Sequence, residues 1–204
     1  MYWKEAFKPN YIWLAEDDVY WDGGRQAHKF EYHRNLRSTD KRLSRMCWKE
    51  EWRIYDQVLV EVYPGGNEPW LGIYCSDDTL RSAVSAVYTC PDPDFILVIS
   101  RGAAYYVNVF RPDSWLAPRV FPVKSVLALP EWNCIALWDE TEATFLRADG
   151  VRWQSGQLCV DELTLNHCEK HEIIFHGFLG AGYGEAARFN LETGVWKKTL
   201  DWYS

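Results

Sequence analysis

Apolar residues alternate with polar or small ones in short stretches along the chain, beginning near residue 58. Val58, Val60 and Val62 occupy every second position, a turn with two glycines follows at 63–67, and apolar residues resume at 70–75. Period-two alternation is typical of a strand with one buried face, and glycine-rich turns commonly join such strands. The pattern therefore predicts a strand, a loop and a second strand.

A second hairpin is predicted around residues 101–102. Residues 95–99 are all apolar, Arg101-Gly102 can form a tight turn, and 105–110 supply a returning strand. The preceding residues, 77–87, fit two elements. Their apolar positions match a helical face, but a strand at 85–89 agrees better with the repeat described below.

One short helix is predicted near the amino terminus. Leu43, Met46 and Cys47 have the i, i+3, i+4 spacing that puts side chains on one helical face. A polar residue before this stretch can cap the helix. The candidate caps are Ser38, Thr39 and Asp40.

Three stretches of the carboxy-terminal half can be superposed as three strands, a turn and a tryptophan. The closing residues are Trp115, Trp153 and Trp196, which are 38 and 43 residues apart. A period of about 40 residues is expected for one four-stranded propeller blade. The sequence at 188–196, Arg-Phe-Asn-Leu-Glu-Thr-Gly-Val-Trp, resembles the last strand of many propeller blades.

The resemblance covers residues 80–200 and implies blade-like sheets. Three units are fewer than a closed ring needs, so residues 58–75 supply a fourth blade, or the units form a sandwich or open layer. An ordinary meander with accidental spacing explains the pattern equally well. We expect a mainly β fold of antiparallel sheets with propeller-like or sandwich repeats and one short helix in the amino-terminal segment.

Composition agrees with a single β domain. The chain has 204 residues, including 12 Trp, 12 Tyr and 9 Phe but only 2 Met. Aromatic residues favour strands and rigid packing. We expect residues 1–204 to form one domain, with an aromatic and basic segment at 1–55 and the repeat-like β region at 56–204.

The net charge of −7 argues against a general attraction to nucleic acid or to anionic membranes. Residues 25–49 run against this trend, with eight basic and two acidic side chains. No apolar stretch is long enough for a membrane helix, and the first residues do not resemble a secretory signal. We therefore expect a cytoplasmic protein without membrane contact, whose six cysteines are reduced thiols.

Candidate binding residues are basic or aromatic. Positive charge interleaved with aromatic rings is what single-stranded nucleic acid binds, although a solvated face paired with acidic residues is the commoner explanation. A tryptophan at a strand end can also anchor a protein partner. The candidates are Arg37, Lys41, Arg42, Trp48 and Trp70.

One cluster has the residue types of a metal site. His167, Cys168, His171 and His176 lie on or beside the polar turn predicted between strands at 163–165 and 173–175. A tetrahedral zinc site needs about four such donors at one point. The alternative is a solvated turn with no metal.

Other chemical signals are weak. Gly180, Gly182 and Gly184 resemble a phosphate-binding loop but precede no predicted helix, so a flexible connection is expected. The acidic stretches at 77–78 and 139–142 have no identifiable partner base. Neither a nucleophile elbow nor another catalytic motif is present, which favours a protein without enzymatic activity or cofactor.

These features favour a non-catalytic protein-interaction module. An acidic, aromatic-rich chain suits a cytoplasmic inhibitor or immunity-type protein that binds a basic effector. Two alternatives stay open. The first is a metal-dependent enzyme or small-ligand binder using the His167 and His171 region, and the second is nucleic-acid binding through residues 25–49.

Overall fold

The described part of the chain is almost entirely β-structure. The computed structural model describes residues 2–4, 7, 11–19, 43–47, 57–76, 84–150 and 152–200. These residues form 17 strands in four sheets, together with a single 3-10 turn at Pro130–Trp132. The prediction of a mainly β fold of antiparallel sheets is confirmed. The described strands form no closed barrel.

The four sheets follow one another along the chain, except that the strand at residues 2–4 belongs to the second sheet. The first sheet has the order β2 (Tyr11–Val19), β4 (Gln57–Pro64), β5 (Trp70–Cys75), β3 (Leu43–Cys47). The second has β1 (Tyr2–Lys4), β6 (Ala86–Thr89), β7 (Phe95–Ser100), β8 (Ala103–Asn108), β9 (Trp115–Leu116). The third has β10 (Ser125–Leu129), β11 (Cys134–Trp138), β12 (Glu142–Arg147), β13 (Arg152–Gln157). The fourth has β14 (Asp161–Glu169), β15 (Glu172–Phe178), β16 (Tyr183–Asn190), β17 (Trp196–Lys198).

Short turns join several pairs of neighbouring strands. Both hairpins expected from the sequence, β4–β5 and β7–β8, are antiparallel pairs. Arg101 and Gly102 turn the second with φ of 40° and 83°, the left-handed values that two-residue hairpin turns require. The strand predicted at 85–89 is confirmed as β6, Ala86–Thr89, and residues 77–83 lie outside the described residues.

The predicted helix is wrong where the structure describes it. Leu43–Cys47 is strand β3, paired in parallel with β5 from Leu43 opposite Leu71 to Cys47 opposite Cys75. Five residues are too few for apolar spacing to separate a helix from a strand. The backbone hydrogen bonds available along β5 outweigh the weak helical preference of this short segment.

Apolar clusters hold consecutive sheets together. Among the described residues, one cluster joins the first and second sheets through Val60, Val98 and Tyr105. A second joins the second and third sheets, and a third joins the third and fourth sheets around Phe145 and Phe189. The second and third sheets therefore bury both of their faces. The Tyr74 side chain in the first cluster is fully buried, and this burial raises the pKa of its phenol far above the ordinary value.

The three spaced tryptophans each lie in the last strand of a sheet. Each is paired with an apolar residue of the preceding strand that is fully buried. The pairs are Trp115 with Val107, Trp153 with Phe145, and Trp196 with Phe189. Each tryptophan packs on an apolar cluster, so these residues contribute to the core.

Candidate functional site: the outer face of the fourth sheet

Among the described residues, apolar packing covers only one of the two faces of the fourth sheet. Leu163, Ile173, Phe175 and Phe189 point into the cluster shared with the third sheet. Alternation along the strands sends the intervening side chains to the opposite side, which we call the outer face. The outer face includes Thr164, Asn166, His167, Glu172, His176, Phe178, Tyr183, Glu185 and Arg188, together with Ile174, which is buried.

Register shifts are concentrated in this sheet. Of the five found among the described strands, two lie between β14 and β15, and one lies between β15 and β16. At one of them, Leu165 pairs with Phe175 and His167 with Ile174, so Asn166 is an extra residue. Such bulges re-aim side chains and are common beside functional sites. Here the bulge puts both Asn166 and His167 on the outer face.

A hydrogen-bonded network covers one part of the outer face. The Tyr183 side chain reaches across β15 to hydrogen-bond the hydroxyl of Thr164, and its ring lies edge-on to His176 with 6.1 Å between centroids. The Asn166 amide nitrogen donates to Nδ1 of His167 at 2.9 Å and to Nε2 of His176 at 3.2 Å. These contacts hold the exposed rings in fixed positions.

An ion-pair cluster covers the neighbouring part. Arg188 donates from Nε and Nη2 to the two carboxylate oxygens of Glu185, both at 2.7 Å, and its Nη1 lies 3.5 Å from Glu172. The hydrogen bond from Arg188 lowers the pKa of Glu185, and the same bond raises the pKa of Arg188. A bidentate pair of this kind fixes the direction of both side chains.

The four predicted metal donors do not converge. Cys168 pairs with Ile173 and so lies on the side of the third sheet, where partial burial and then Glu131 raise the pKa of its thiol. His171 belongs to the β14–β15 turn and lies 3.9 Å from Glu192. His167 and His176 share the Asn166 amide. Within the described residues, no group of three or more His, Cys, Asp or Glu side chains could hold a metal ion.

The predicted binding residues divide into two groups. Arg37, Lys41, Arg42 and Trp48 lie outside the described residues. Trp70 is buried between the first and second sheets, and its indole N–H donates to the Val109 carbonyl at 2.8 Å. Its ring is therefore part of the core between these two sheets.

The other candidate motifs are turns. Gly180 and Gly182 belong to the β15–β16 connection, which the Leu179 N–H closes by donating to the Gly182 carbonyl at 2.8 Å. A strand follows, so the helix that a phosphate-binding loop needs is absent from this described segment. Asp139 caps the β11–β12 turn by accepting from the backbone N–H groups of Thr141 and Glu142. Asp77 and Asp78 lie outside the described residues.

Cys90, Cys134, Cys159 and Cys168 are free thiols, as the sequence predicts. Cys90 and Cys134 fill the core, and burial raises the pKa of Cys134 to about 12. Burial likewise raises the pKa of Cys159, to about 11. Thiols held protonated in this way are poor nucleophiles, so these cysteines are structural.

Of the residues on the outer face, the sequence predicts only His167 and His176 as site residues. Asn166, Tyr183, Glu185 and Arg188 were not singled out, although a signal exists. Polar residues occupy alternate positions of β14 and β15, as in Thr164, Asn166 and His176. This pattern indicates a sheet face open to solvent.

Comparisons with protein-family models, with curated proteins and with solved structures give no match. No described helix has the length and apolar character needed to cross a membrane. We therefore infer the function from the geometry of the described residues.

Proposed function

We propose that this protein is a non-catalytic recognition module that binds a basic protein partner on the outer face of its fourth sheet. One observation carries the proposal. The second and third sheets bury both faces in apolar clusters, whereas no described residue outside the fourth sheet packs an apolar cluster on its outer face. A rigid, solvent-facing sheet is a ready docking platform.

Exposed apolar side chains supply the anchors. Tyr183 is 54% exposed and Phe178 is 38% exposed, and they lie opposite each other on β16 and β15. Val160 adjoins them, since its backbone N–H donates to the Phe178 carbonyl, and it is 44% exposed. Aromatic anchors of this type carry most of the binding energy in protein interfaces.

The hydrogen bonds on the face favour tight binding because they hold side chains in place before a partner arrives. Tyr183 is tied to Thr164, and Arg188 is tied to Glu185. Immobilising a free side chain costs about 0.5–1.5 kcal/mol on association. Side chains that are already fixed avoid most of this cost.

Charge determines the kind of partner. The outer face and the neighbouring edge of β14 carry more carboxylates than cations, and the whole chain has a net charge of −7. Acidic surfaces speed the encounter with basic proteins and disfavour acidic ones. The carboxylates are Asp161, Glu162, Glu169, Glu172 and Glu185, against Lys170, Arg188 and Lys197.

A small acidic module of this kind suits the role of an inhibitor that covers a basic effector, as immunity-type proteins do. Binding would then block the effector by occupying its surface, and no catalytic group would be needed. This role is consistent with the separation of the four candidate metal donors.

The test places a photo-crosslinking amino acid at Tyr183, with the same substitution at Phe110 as the control. Phe110 is a comparably exposed aromatic residue that follows β8 in the second sheet. Crosslinking in the native host should capture a basic protein through position 183 and not through position 110. The captured protein is then purified and titrated against the wild-type chain by calorimetry.

Tyr183→Ala and Phe178→Ala are each expected to weaken that binding by about tenfold or more, and Phe110→Ala by less than about twofold. Equal affinity of all variants would show that the interface lies elsewhere. Sedimentation measurements decide the remaining case. A dimer formed through position 183 would mean that a second copy covers the face, and the proposal would fail.

A further inference from the structure

The space between the second and third sheets opens at one end into a cavity of about 250 Å³. Its walls come from two sheets and its rim from two turns. Phe95, Tyr106 and Leu116 line it from the second sheet, and Leu146 lines it from the third. Asp92 and Asp149, in the β6–β7 and β12–β13 turns, complete the rim.

The packing explains why the cavity has a firm apolar wall. Phe95 and Tyr106 stack with their rings nearly parallel, 4.4 Å between centroids and 12° between planes. Tyr106 and Leu146 are buried in the cluster between the two sheets. Because both side chains are anchored in that cluster, the wall is formed before any ligand arrives.

The charged rim favours a cation over an anion. Asp92 accepts a hydrogen bond from the Asp94 N–H at 3.0 Å through Oδ1, which fixes the carboxylate in the turn. Arg147, the one cation among the described lining residues, lies over the Trp153 ring at 4.8 Å, with Nε 3.6 Å from Asp149. The charges of Arg147 and Asp149 offset each other. Asp92 therefore gives the described lining residues a net charge of one negative unit.

We propose that this cavity binds an organic ammonium group carried on an apolar body, with a small arylalkylamine as the preferred form. The ammonium group pairs with Asp92 at the rim, and the apolar body lies against Phe95, Tyr106 and Leu146. A cavity of about 150 Å³ can hold a benzene molecule, so 250 Å³ accommodates one ring with a short arm. A lysine side chain carries the same ammonium group without the ring. This site is separate from the outer face, and neither proposal depends on the other.

The test measures binding of phenethylamine to the intact protein by calorimetry and by ligand-observed NMR. Phenylethanol, which has the same body without charge, and phenylpropionate, which has the opposite charge, are the comparison probes. The amine is expected to bind at least about fivefold more tightly than the alcohol, and the acid more weakly than both. N-acetyl-lysine methylamide, tested in parallel, distinguishes a protein side chain from a free amine as the source of the ammonium group.

Asp92→Asn removes the charge and keeps an oxygen that can accept from Asp94. It is expected to weaken amine binding about tenfold and leave binding of the alcohol unchanged. Asp139→Asn is the matched control, because Asp139 caps a different turn that does not line the cavity. Arg147→Gln has the opposite expected effect and should strengthen amine binding. Ala148→Leu should block the cavity for every probe.

Binding of phenethylamine or of the lysine derivative with these variant effects supports the proposal and identifies the source. If neither amine binds, the proposal is overturned. The same conclusion follows if the alcohol binds as tightly as the amine, or if Asp92→Asn and Asp139→Asn weaken binding equally. Near-ultraviolet circular dichroism of each variant confirms that the sheets remain packed.

Discussion

Gly194 lies against the indole ring of Trp153, at the turn between β16 and β17. Its φ of +69° is in the left-handed region, and a Cβ there would overlap Nε1 and Cε2 of Trp153. The turn itself is fixed by Asn190, whose carbonyl accepts from the Gly194 N–H at 2.8 Å. Two independent constraints, backbone conformation and ring contact, therefore act on one residue.

Comparing two glycines separates these constraints. Gly66 has a similar φ of +78°, but nothing lies within 4 Å of the position of its Cβ. Gly66→Ala should cost only the backbone strain, about 1 kcal/mol of the free energy of unfolding. Gly194→Ala must also displace Trp153 and should cost about 3 kcal/mol. Urea denaturation monitored by circular dichroism measures both values, and equal losses would show that the indole moves aside freely.

At the level of the strand, the bulge at Asn166 determines which face each following side chain of β14 occupies. Since Asn166 is extra on β14, removing it leaves Leu165 facing Phe175 and His167 facing Ile174. The inward and outward order of the strand is then unchanged. Deletion within a strand without a bulge has a different result. In β11, loss of Ala136 would send Leu137 and Trp138 to the wrong faces of the third sheet.

We therefore expect deletion of Asn166 to be tolerated and deletion of Ala136 to prevent folding. The Asn166 deletion loses two hydrogen bonds on an exposed face and should lower the melting temperature by less than about 8 °C. Thermal unfolding followed by near-ultraviolet circular dichroism distinguishes the two variants. A cooperative transition in the Ala136 deletion would contradict the assigned register of the third sheet.

Sequence predicted elements well where local pattern and pairing agree. Val58, Val60 and Val62 alternate because one side of β4 packs on the second sheet, so periodicity alone identified the strand. Leu43–Cys47 gave the wrong element, since its structure depends on the distant strand β5, which no local spacing encodes. Strand pairing over long separations is set by the whole fold.

The candidate site was less predictable than the sheets. His167 and Cys168 are adjacent in sequence, yet they lie on opposite faces of β14, so adjacency suggested a cluster that the strand separates. The contact between Tyr183 and Thr164 spans an intervening strand and depends on two register shifts. Nothing in the residue types marks a bulge at Asn166.

At the scale of the molecule, the stability of each sheet depends on its neighbours. The second sheet contributes Val98 to one cluster and Leu97 to the next, and the third sheet contributes Leu146 and Phe145 to two clusters in the same way. A sheet that loses one neighbour exposes a fully apolar face. Partial unfolding within the stack is therefore costly.

This coupling predicts a single unfolding transition for the described sheets. Val98→Ala, in the cluster between the first and second sheets, should cost about 2–3 kcal/mol, and Phe189→Leu, in the cluster between the third and fourth, about 1–2 kcal/mol. Each substitution should shift the same calorimetric peak, with equal calorimetric and van't Hoff enthalpies. If Phe189→Leu instead melts part of the signal early while Val98→Ala leaves that part unchanged, the two ends of the stack unfold independently. The open face of the fourth sheet would then belong to a separable unit, because its packing on the third sheet would not be required by the rest of the chain.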